Sequence, residues 1–249
     1  MKVSIITATY NSAGTIIDTL RSLEVQTYQN IEYIIVDGDS TDNTLNVISA
    51  NCTRVKTIIS EKDVGIYDAL NKGISVATGD IVGFLHSDDV FAYPDAVADI
   101  VSTFDRESSD AVYADLQYVD KLNIEKVLRN WESKPYSREK VTSGWMPPHP
   151  TFYMKKSLYD RHGYFDLSYK ISADYDSILR YLWVREVKLS YLPKVLIKMR
   201  VGGASNRNLS NIIRKTNEDI RALKNNNIPW FKAILLKNTS KIPQFFKRS

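Results

Sequence analysis

The chain has 249 residues, of which 43% are hydrophobic and 25% charged, with a formal net charge of +4, as is typical of a soluble globular protein with one large domain or one domain and an appendage. No run approaches the roughly 18 to 20 apolar residues of a transmembrane helix, and the N-terminal sequence lacks the apolar segment of a signal peptide. The single cysteine, Cys52, excludes an intramolecular disulfide and fits a reducing compartment, so we expect a cytoplasmic protein.

Residues 1–115 alternate between strand and helix patterns. Short apolar runs predict strands, and apolar residues spaced three and four apart predict helices. Strands are predicted at residues 3–8, 31–36, 55–59, 81–85 and 111–114, and helices at 13–25, 41–50, 66–76 and 94–104. Such alternation is typical of βαβ units, so we expect an α/β fold with a mostly parallel central sheet flanked by helices.

The pattern changes after residue 115. Residues 116–145 resemble a hairpin and loops, and the proline-rich residues 146–150 predict a stiff loop that cannot be helical. Further helices are predicted at 155–161, 172–184 and 207–226, short strands at 188–191 and 195–200, and a turn at 202–205. The chain is thus divided into residues 1–115, residues 116–205 and a C-terminal helical appendage of residues 206–249.

The C-terminal segment is basic. Residues 205–249 contain ten Lys or Arg and two acidic residues, whereas residues 1–204 contain 23 and 27. Aromatic and apolar residues lie among the basic ones: Trp230, Phe231, Leu235, Leu236, Phe245 and Phe246 among Lys232, Lys237, Lys241, Lys247 and Arg248. This combination favours contact with an anionic membrane surface. The alternative is a C-terminal helix packed on the body, and we expect no nucleic-acid partner because the body has no basic patch or binding motif.

Polar residues follow four of the predicted strands, at the point where each strand ends. They are Thr7, Thr9, Tyr10 and Asn11 after the first strand, residues 37–42 after the second, residues 61–63 after the third, and His86, Ser87, Asp88 and Asp89 after the fourth. Ligands of an open parallel sheet bind beyond the carboxyl ends of its strands. The sequence therefore predicts a binding site at an acidic, hydroxyl-rich edge of the sheet.

Asp88 and Asp89 directly follow an apolar strand at residues 81–85. Adjacent carboxylates repel each other and cost desolvation energy unless a positive group binds them. The chain has no G-x-G-x-x-G sequence after its first strand and no P-loop sequence. It therefore lacks the glycine-rich loops whose backbone N–H groups usually bind phosphate. A phosphate at this edge would need a divalent cation, Mn²⁺ or Mg²⁺, held by carboxylate oxygens. The alternative is a solvated turn that caps the helix at residues 94–104.

Three segments resemble the glycosyltransferases of family 2. They read VSIITATYNSAGTIIDTLRSLEVQTYQNIEYIIVDGDSTDNT, SEKDVGIYDALNKGISVATGDIVGFLHSDD and HPTFYMKKSLYDRHGYFDLSYKISADYDSILR, and they occur in the family's order within residues 2–205. The resemblance implies a GT-A fold, with residues 1–115 as the nucleotide-sugar-binding half and 116–205 as the acceptor half. It also implies inverting transfer of a sugar from a nucleoside diphosphate, with UDP as the favoured nucleotide, to a saccharide or lipid-linked acceptor in bacterial polysaccharide or lipopolysaccharide synthesis.

Mapped onto this sequence, the resemblance implies a nucleotide site and a metal site. The nucleotide side comprises Thr7, Thr9, Tyr10, Asn11, Asp37, Asp63, Lys72 and Ser87, where Lys72 would reach the diphosphate or a neighbouring acid. Asp88 corresponds to the metal-binding acid of the family's D-x-D segment. His86 stands where the family often has Asp or Asn; imidazole suits Mn²⁺ better than Mg²⁺, so His86 could bind the metal, hydrogen-bond the sugar or do neither.

On the acceptor side, Asp174 corresponds to the acid that deprotonates the acceptor hydroxyl. In a helix, Asp174 and Asp176 would project about 200° apart, so only one of them can face the site. We expect Asp174 to be the base, and Asp176 could cap the helix or pair with Arg180. His149, Asp89 and Asp176 are the other acceptor-side candidates. The alternative is that both helix acids are only first-turn residues favoured by the helix dipole.

Other classes of protein fit these residues less well. A nucleotidyltransferase would need a Gly- and Arg-rich loop after the first strand, where this chain has residues 8–12, ATYNS. A non-catalytic nucleotide-sugar-binding module would be expected to lack Asp88 or Asp174. A glycoside hydrolase places one carboxylate on each side of the glycosidic bond that it cleaves. The nucleotide-side residues would have no role in such an enzyme.

Overall fold

The computed structural model describes residues 1–202 and 209–239. The predicted turn at 202–205 falls largely outside these residues. Of the predicted C-terminal tail, Lys241, Phe245, Phe246, Lys247 and Arg248 also lie outside them.

Strands and helices alternate through the first half of the chain, as predicted. The strands are β1 Val3–Thr9, β2 Ile31–Asp37, β3 Val55–Ser60, β4 Ile81–Phe84, β5 Val90–Phe91, β6 Ala111–Val119, β7 Val127–Trp131, β8 Tyr153–Lys155 and β9 Leu189–Arg200. The helices are α1 Ile16–Glu24, α2 Thr44–Asn51, α3 Ile66–Val76, α4 Ala96–Glu107, α5 Arg138–Val141, α6 Lys156–His162, α7 Ala173–Leu179, α8 Leu209–Asn225 and α9 Trp230–Thr239.

The strands of the described residues form a single nine-stranded sheet in the order β3-β2-β1-β4-β8-β6-β9-β5, with β7 paired to β6. β1 is parallel to both β2 and β4, and β2 is parallel to β3. β8 is antiparallel to both β4 and β6, so β6 runs in the same direction as β4, and β9 is parallel to β6. The prediction of a mostly parallel sheet is therefore confirmed.

Burial explains why the first strands were readable in the sequence. Every residue of β1, β2 and β4 is buried, because helices cover both faces of the sheet, and such strands are continuous apolar runs. β3 lies at the edge of the sheet and alternates between half-buried and exposed residues. Two clusters of buried residues, one on each face, form the core.

Two predictions about the second half need correction. The short strands predicted at 188–191 and 195–200 form one strand, β9, whose pairing with β6 skips two residues between Leu192 and Val195. A bulge of this kind accommodates Pro193, which has no backbone N–H to donate to the ladder. The loop at 146–150 does contain helical backbone, a 3₁₀ turn at His149–Thr151, because proline is tolerated in the first turn of a helix.

Sequence patterns also gave no sign of two short elements. β5 has only two residues and pairs with β9. The helix predicted at 172–184 is α-helical only as far as Leu179 and continues as a π-helical turn at Arg180–Val184.

The described part of the C-terminal segment packs on the body. Ala222 and Leu223 of α8 and Ala233 of α9 are buried in the same apolar cluster as α7. Asp219 of α8 accepts hydrogen bonds from Lys215 and Lys237 at 2.8 Å each, which joins α9 to α8. None of the helices in residues 1–202 and 209–239 combines the length and the hydropathy needed to cross a membrane.

Candidate functional site

The carboxyl ends of β1, β2, β3 and β4 meet at one edge of the sheet. Thr9 at the end of β1 lies opposite Asp37 of β2, which in turn lies opposite Ser60 of β3. On the other side of β1, Ile6 pairs with Phe84, two residues before His86. The sheet thus brings the four predicted groups of strand-end residues together.

An open surface at this edge lies around Gly38. A Cβ atom on Gly38 would stand 2.5 Å from Asp63 Oδ2 and 3.5 Å from the Tyr10 ring, so both side chains converge on the glycine. Tyr10 is 62% exposed and offers an aromatic face, while Asp63 Oδ1 accepts the Gly65 N–H at 2.9 Å. An aromatic face beside a carboxylate is suited to a flat, hydrogen-bonding ring such as a nucleobase. Gly38 belongs to the predicted strand-end group of residues 37–42, but its position between Tyr10 and Asp63 was not predicted.

Two predicted nucleotide residues are placed inside the protein instead. Thr7 is fully buried, and its hydroxyl donates to the Leu85 carbonyl at 2.5 Å and contacts Tyr33 Oη at 2.8 Å. Asp37 is also fully buried, and Oδ2 accepts from Ser40 N at 3.0 Å and Ser60 Oγ at 2.8 Å. The polar atoms of both residues are satisfied internally and support the sheet edge, and their place on the nucleotide side stays a prediction.

Asn11 has a related supporting role. Its backbone is left-handed, with φ of 48°, and its side-chain oxygen accepts the N–H groups of Thr41 at 2.9 Å and Asp42 at 3.2 Å. Asn11 thus ties the loop after β1 to the loop after β2. Thr9 differs, because its buried hydroxyl has no hydrogen-bond partner among the described residues.

Lys72 on α3 forms ion pairs with two acidic residues. Its ammonium lies 2.8 Å from Glu61 and 3.6 Å from Asp68, and it donates to the Lys62 carbonyl at 2.9 Å. The hydrogen bond with Glu61 raises its pKa. Of the two predicted roles, contact with a neighbouring acid is the one observed.

Asp88 lies at the open side of the loop after β4. The backbone carbonyl of Asp88 accepts from Arg200 Nη1 at 2.7 Å, and Ser87 Oγ lies 3.0 Å from Ser12 Oγ. Arg200 itself is 7% exposed and paired with Asp18 at 2.5 Å. These contacts fix the backbone and leave the half-buried Asp88 carboxylate without a hydrogen bond to any described residue.

Asp89 is buried beside it, and His86 is half-buried. Both carboxylate oxygens of Asp89 lack a partner in the described part of the chain, and burial, with the neighbouring Asp88 charge, raises its pKa well above the ordinary value. Burial lowers the pKa of His86, and Nδ1 of its ring is likewise unpaired within residues 1–202 and 209–239. Their surroundings thus disfavour the charged form of both side chains. Asp89 is buried beneath the loop, which does not fit the predicted contact with an acceptor.

His149 is held in an aromatic cage. Its ring stacks on Phe84 with centroids 5.1 Å apart, meets Phe165 edge-on at 5.5 Å and lies 6.1 Å from the His86 ring. Burial lowers the pKa of His149 to about 4, so the imidazole is neutral at neutral pH. Its Nε2 has no protein partner among the described residues, which leaves this atom for a bound molecule.

Asp174 is half-buried at the start of α7 and faces α3. Its Oδ1 lies 3.0 Å from Tyr67 Oη, and the same hydroxyl donates to the Ile171 carbonyl at 2.6 Å. Burial lowers the pKa values of His86 and His149, and the charge of Asp174 opposes this by raising both of them. The charge of Asp88 also raises the pKa of His86. Carboxylates from the two halves of the chain thus act on the same histidine. Tyr67 was not predicted, because nothing in its local sequence distinguishes it from a core tyrosine.

Asp176 points away from this cluster. It is 7% exposed, accepts from Asn226 Nδ2 at 3.2 Å and lies 3.8 Å from Arg180. Burial raises its pKa. As the helical geometry required, only one of the two α7 acids faces the site, and Asp176 is a packing residue between α7 and α8. Its predicted place on the acceptor side is therefore corrected.

The described residues contain no group of three or more His, Cys, Asp or Glu side chains that could hold a metal ion by themselves. Asp88 nevertheless fits a metal ligand, since its half-buried carboxylate has no hydrogen bond or ion pair with any residue that the structure describes. His86 adds an imidazole in the same loop, and its Nδ1 has no partner within residues 1–202 and 209–239.

Comparison with known proteins identifies the family. Residues 4–164 match the family described as Glycosyl transferase family 2. An uncharacterized glycosyltransferase of Mycobacterium tuberculosis (strain ATCC 25618 / H37Rv) is 34% identical over 180 residues, which are 72% of this chain and 68% of the relative. A PGL/p-HBAD biosynthesis glycosyltransferase of Mycobacterium bovis (strain BCG / Pasteur 1173P2) is 29% identical over 184 residues, 71% of this chain and 68% of that protein.

Solved structures share the fold. S. aureus TarS 1-349 in complex with UDP superposes with a TM-score of 0.70 at 23% identity, covering 97% of this chain and 71% of that chain. The mannosyltransferase PcManGT from Pyrobaculum calidifontis, in complex with GDP-Man and Mn²⁺, gives 0.66 at 20% identity, covering 95% and 68%. The chain spans 44% of the longer TarS structure. The fold is therefore GT-A, as the sequence resemblance implied, and the chain belongs to glycosyltransferase family 2.

Proposed function

We propose that the protein is an inverting, metal-dependent glycosyltransferase that moves a hexosyl or N-acetylhexosaminyl group from a nucleoside diphosphate to a saccharide or lipid-linked saccharide. The observation that carries the proposal is that two carboxylates, Asp88 after β4 and Asp174 at the start of α7, lie about one pair of histidines: half-buried His86 and, 6.1 Å from its ring, His149. One acid follows β4 on the donor half, and the other begins α7 on the acceptor half. Inverting transfer needs negative charge on both sides of the reacting carbon, one to hold the leaving group through a cation and one to act as base.

In this mechanism, Asp174 accepts the proton of an acceptor hydroxyl. The hydroxyl oxygen bonds to the anomeric carbon of the donor sugar, and the bond from that carbon to the diphosphate oxygen breaks. Tyr67 orients the Asp174 carboxylate through its Oη. Neutral His149 hydrogen-bonds the acceptor or the diphosphate through Nε2, and the aromatic residues around it exclude water.

Asp88 would hold the divalent cation, with His86 as a second candidate ligand. When bound, the cation would neutralise charge on the leaving diphosphate, so no acid from the protein is needed there. The nucleoside would lie over Gly38, between Tyr10 and Asp63. The solved TarS structures in complex with UDP and UDP-GlcNAc favour a UDP sugar as donor, and PcManGT in complex with GDP-Man and Mn²⁺ makes GDP the second choice and manganese a suitable cation.

The named relatives favour an acceptor in cell-surface glycan synthesis. They include the PGL/p-HBAD biosynthesis enzyme and a chondroitin synthase of Escherichia coli. A non-catalytic binding module would have no use for the base at Asp174, and a nucleotidyltransferase would have none for an acceptor half.

The product of transfer tests this proposal. We expect that a panel of UDP and GDP sugars with Mn²⁺ and saccharide acceptors gives acceptor-dependent release of one nucleoside diphosphate. Proton NMR of the product from an α-linked donor should show a β linkage, because a single displacement inverts the anomeric carbon. A retained configuration would contradict the single-displacement mechanism, and release of the nucleotide without any acceptor-linked product would contradict transfer.

We also propose that α9 contacts an anionic membrane surface on the cytoplasmic side. Phe231 is 70% exposed and Trp230 is 38% exposed, and the basic side chains Lys232 and Lys224 lie in the exposed surface beside them. A basic, aromatic face of this kind binds the interface of a bilayer. A lipid-linked acceptor would be found at the same surface.

Vesicle cosedimentation tests the membrane proposal. We expect the protein to sediment with phosphatidylglycerol vesicles at low salt, and the bound fraction to fall at high salt because the lysine contribution is screened. Phe231→Ser should weaken the binding. Leu122→Ser is the matched control, since Leu122 is a 92% exposed apolar residue outside α9, in the hairpin loop between β6 and β7. An equal loss in both variants, or no binding by the wild type, would refute a specific role for α9.

A further inference from the structure

Glu218 on α8 holds the segment that leads into the helix of Asp174. Its Oε1 accepts the N–H of Lys170 at 3.1 Å, and its Oε2 accepts those of Ile171 at 2.8 Å and Ser172 at 2.9 Å. One carboxylate thus binds three consecutive backbone N–H groups. These three residues stand immediately before α7, which begins at Ala173.

This arrangement replaces the usual cap of a helix. Ser172 occupies the position before α7, but its side chain makes no capping hydrogen bond to the helix. The negative charge of Glu218 lies beside the N-terminal end of α7, where the helix dipole favours an anion. Hydrogen bonds between backbone N–H groups and a carboxylate are stronger than neutral ones, so this anchor fixes the first turn that carries Asp174.

Neighbouring residues of α8 hold the same segment. Arg221 lies 3.7 Å above the Tyr169 ring and donates to Ser168 Oγ at 3.2 Å, and Asn225 donates to Tyr169 Oη at 3.1 Å. Residues 218, 221 and 225 are spaced three and four apart and therefore share one face of the helix. Because this face has a specific partner, the polar character of α8 is not merely that of a solvated surface.

The opposite side of the segment is held by α3. Tyr67 Oη donates to the Ile171 carbonyl at 2.6 Å, while the Ile171 N–H is bound by Glu218. The peptide groups before Asp174 are therefore fixed between α3 of the nucleotide-binding half and α8 of the C-terminal segment. Tyr67 contacts Asp174 directly, whereas Glu218 acts only through the backbone.

We propose that Glu218 is a positioning residue that sets the place of the Asp174 carboxylate, and that α8 is thereby part of the catalytic framework. The proposal rests on the proposed function, in which Asp174 is the base. A misplacement of about 1 Å in a reacting group can cost about 100-fold in rate. Loss of the Glu218 anchor should therefore reduce the rate of transfer without changing how the donor binds.

Glu218→Gln is the test variant. It keeps the size of the side chain, but an amide has only one acceptor oxygen. Since the three N–H groups are shared between both carboxylate oxygens, the amide NH₂ must face at least one of them in either orientation. Two control variants lie beside it on α8: Asn217→Ala changes an exposed side chain, and Asp219→Asn weakens the buried pairing of α8 with α9.

Hydrogen exchange and kinetics provide two independent measurements. Glu218→Gln should speed amide exchange in residues 168–176 and lower kcat by about 10- to 100-fold, with the KM for the donor within about twofold of wild type. Asn217→Ala should change neither the amide exchange of residues 168–176 nor kcat. Asp219→Asn should lower the unfolding temperature but not kcat measured below it.

The outcomes separate this proposal from the proposed function. Unchanged exchange in Glu218→Gln would overturn the anchor itself. Faster exchange with unchanged kcat, or an equal fall in kcat for Asp219→Asn, would overturn the positioning role and leave Glu218 as a stabilising contact. A wild-type protein that transfers no sugar would overturn the proposed function, while exchange would still decide whether Glu218 fixes the segment of Asp174.

Discussion

Asp174→Asn is expected to lower kcat by about 10²- to 10⁴-fold, the usual contribution of a general base. Asparagine keeps the shape of the side chain and can still hydrogen-bond Tyr67 Oη, which lies 3.0 Å from Asp174 Oδ1. It cannot accept the proton of the acceptor hydroxyl. Because Asp174 lies at the start of α7 and not in the strand-end loops around Gly38, the affinity for nucleoside diphosphate should stay close to wild type. Initial rates of diphosphate release and calorimetric titration measure the two effects separately.

Asp176→Asn is the matched control for this variant. Asp176 lies two residues away in the same helix but is buried against Asn226 and Arg180. Its change should act on stability, because a buried packing contact is altered, and should leave kcat within a few-fold of wild type. If Asp176→Asn lost as much activity as Asp174→Asn, the assignment of the base would be wrong, and full activity in Asp174→Asn would exclude a catalytic role for that residue.

The sequence was most informative where burial alone determines the pattern. β1, β2 and β4 are buried along their whole length, so their apolar runs and the polar residues that end them could be read directly. Their parallel arrangement followed from the intervening helices, and it placed Asp88 and Asp63 at the same edge. The opposition of Asp174 and Asp176 also followed from helical geometry alone.

Contacts made across long stretches of sequence were less accessible. Thr7 and Asp37 stand at strand ends like the exposed candidates, but Tyr33, Ser40 and Ser60 satisfy their polar atoms inside the protein. A strand-end position predicts nearness to the site but not the direction of the side chain. Likewise, no local sequence pattern predicts that Glu218 of α8 accepts hydrogen bonds from three backbone N–H groups 46 to 48 residues earlier in the chain.

The burial of neutral groups gives the site its electrostatic character. His149 has a pKa of about 4, and Asp89 has a pKa well above its ordinary value, in both cases because burial disfavours the charged form. The charged groups that remain near His86 are Asp88 and Asp174. A cation entering the site therefore meets the charges of Asp88 and Asp174 at a partly buried position, where electrostatic attraction is stronger than in water.

Asp88→Asn is accordingly expected to abolish metal-dependent binding of the nucleoside diphosphate. Loss of an outer contact to a metal ligand typically costs about 10- to 100-fold in metal affinity, so loss of the ligand charge itself should cost on the order of 100-fold or more. Calorimetric titration with UDP and with GDP, each in Mn²⁺ and in EDTA, measures this directly. Wild type should bind one of the two nucleotides in Mn²⁺ and neither in EDTA. Asp88→Asn should bind neither nucleotide in either condition.

Asp89→Asn makes the same chemical change one residue later and separates charge from position. Burial raises the pKa of Asp89 well above its ordinary value, and its carboxylate lies beneath the loop, so asparagine there keeps the shape of the side chain and should disturb a bound cation less than it does at Asp88. Diphosphate binding in Mn²⁺ should therefore survive in this variant. If both variants lost binding, the loop after β4 would act as a unit whose fold the substitutions disturb. If Asp88→Asn retained binding, the apolar strand β4 would end in a solvated turn, and the cation would need another ligand.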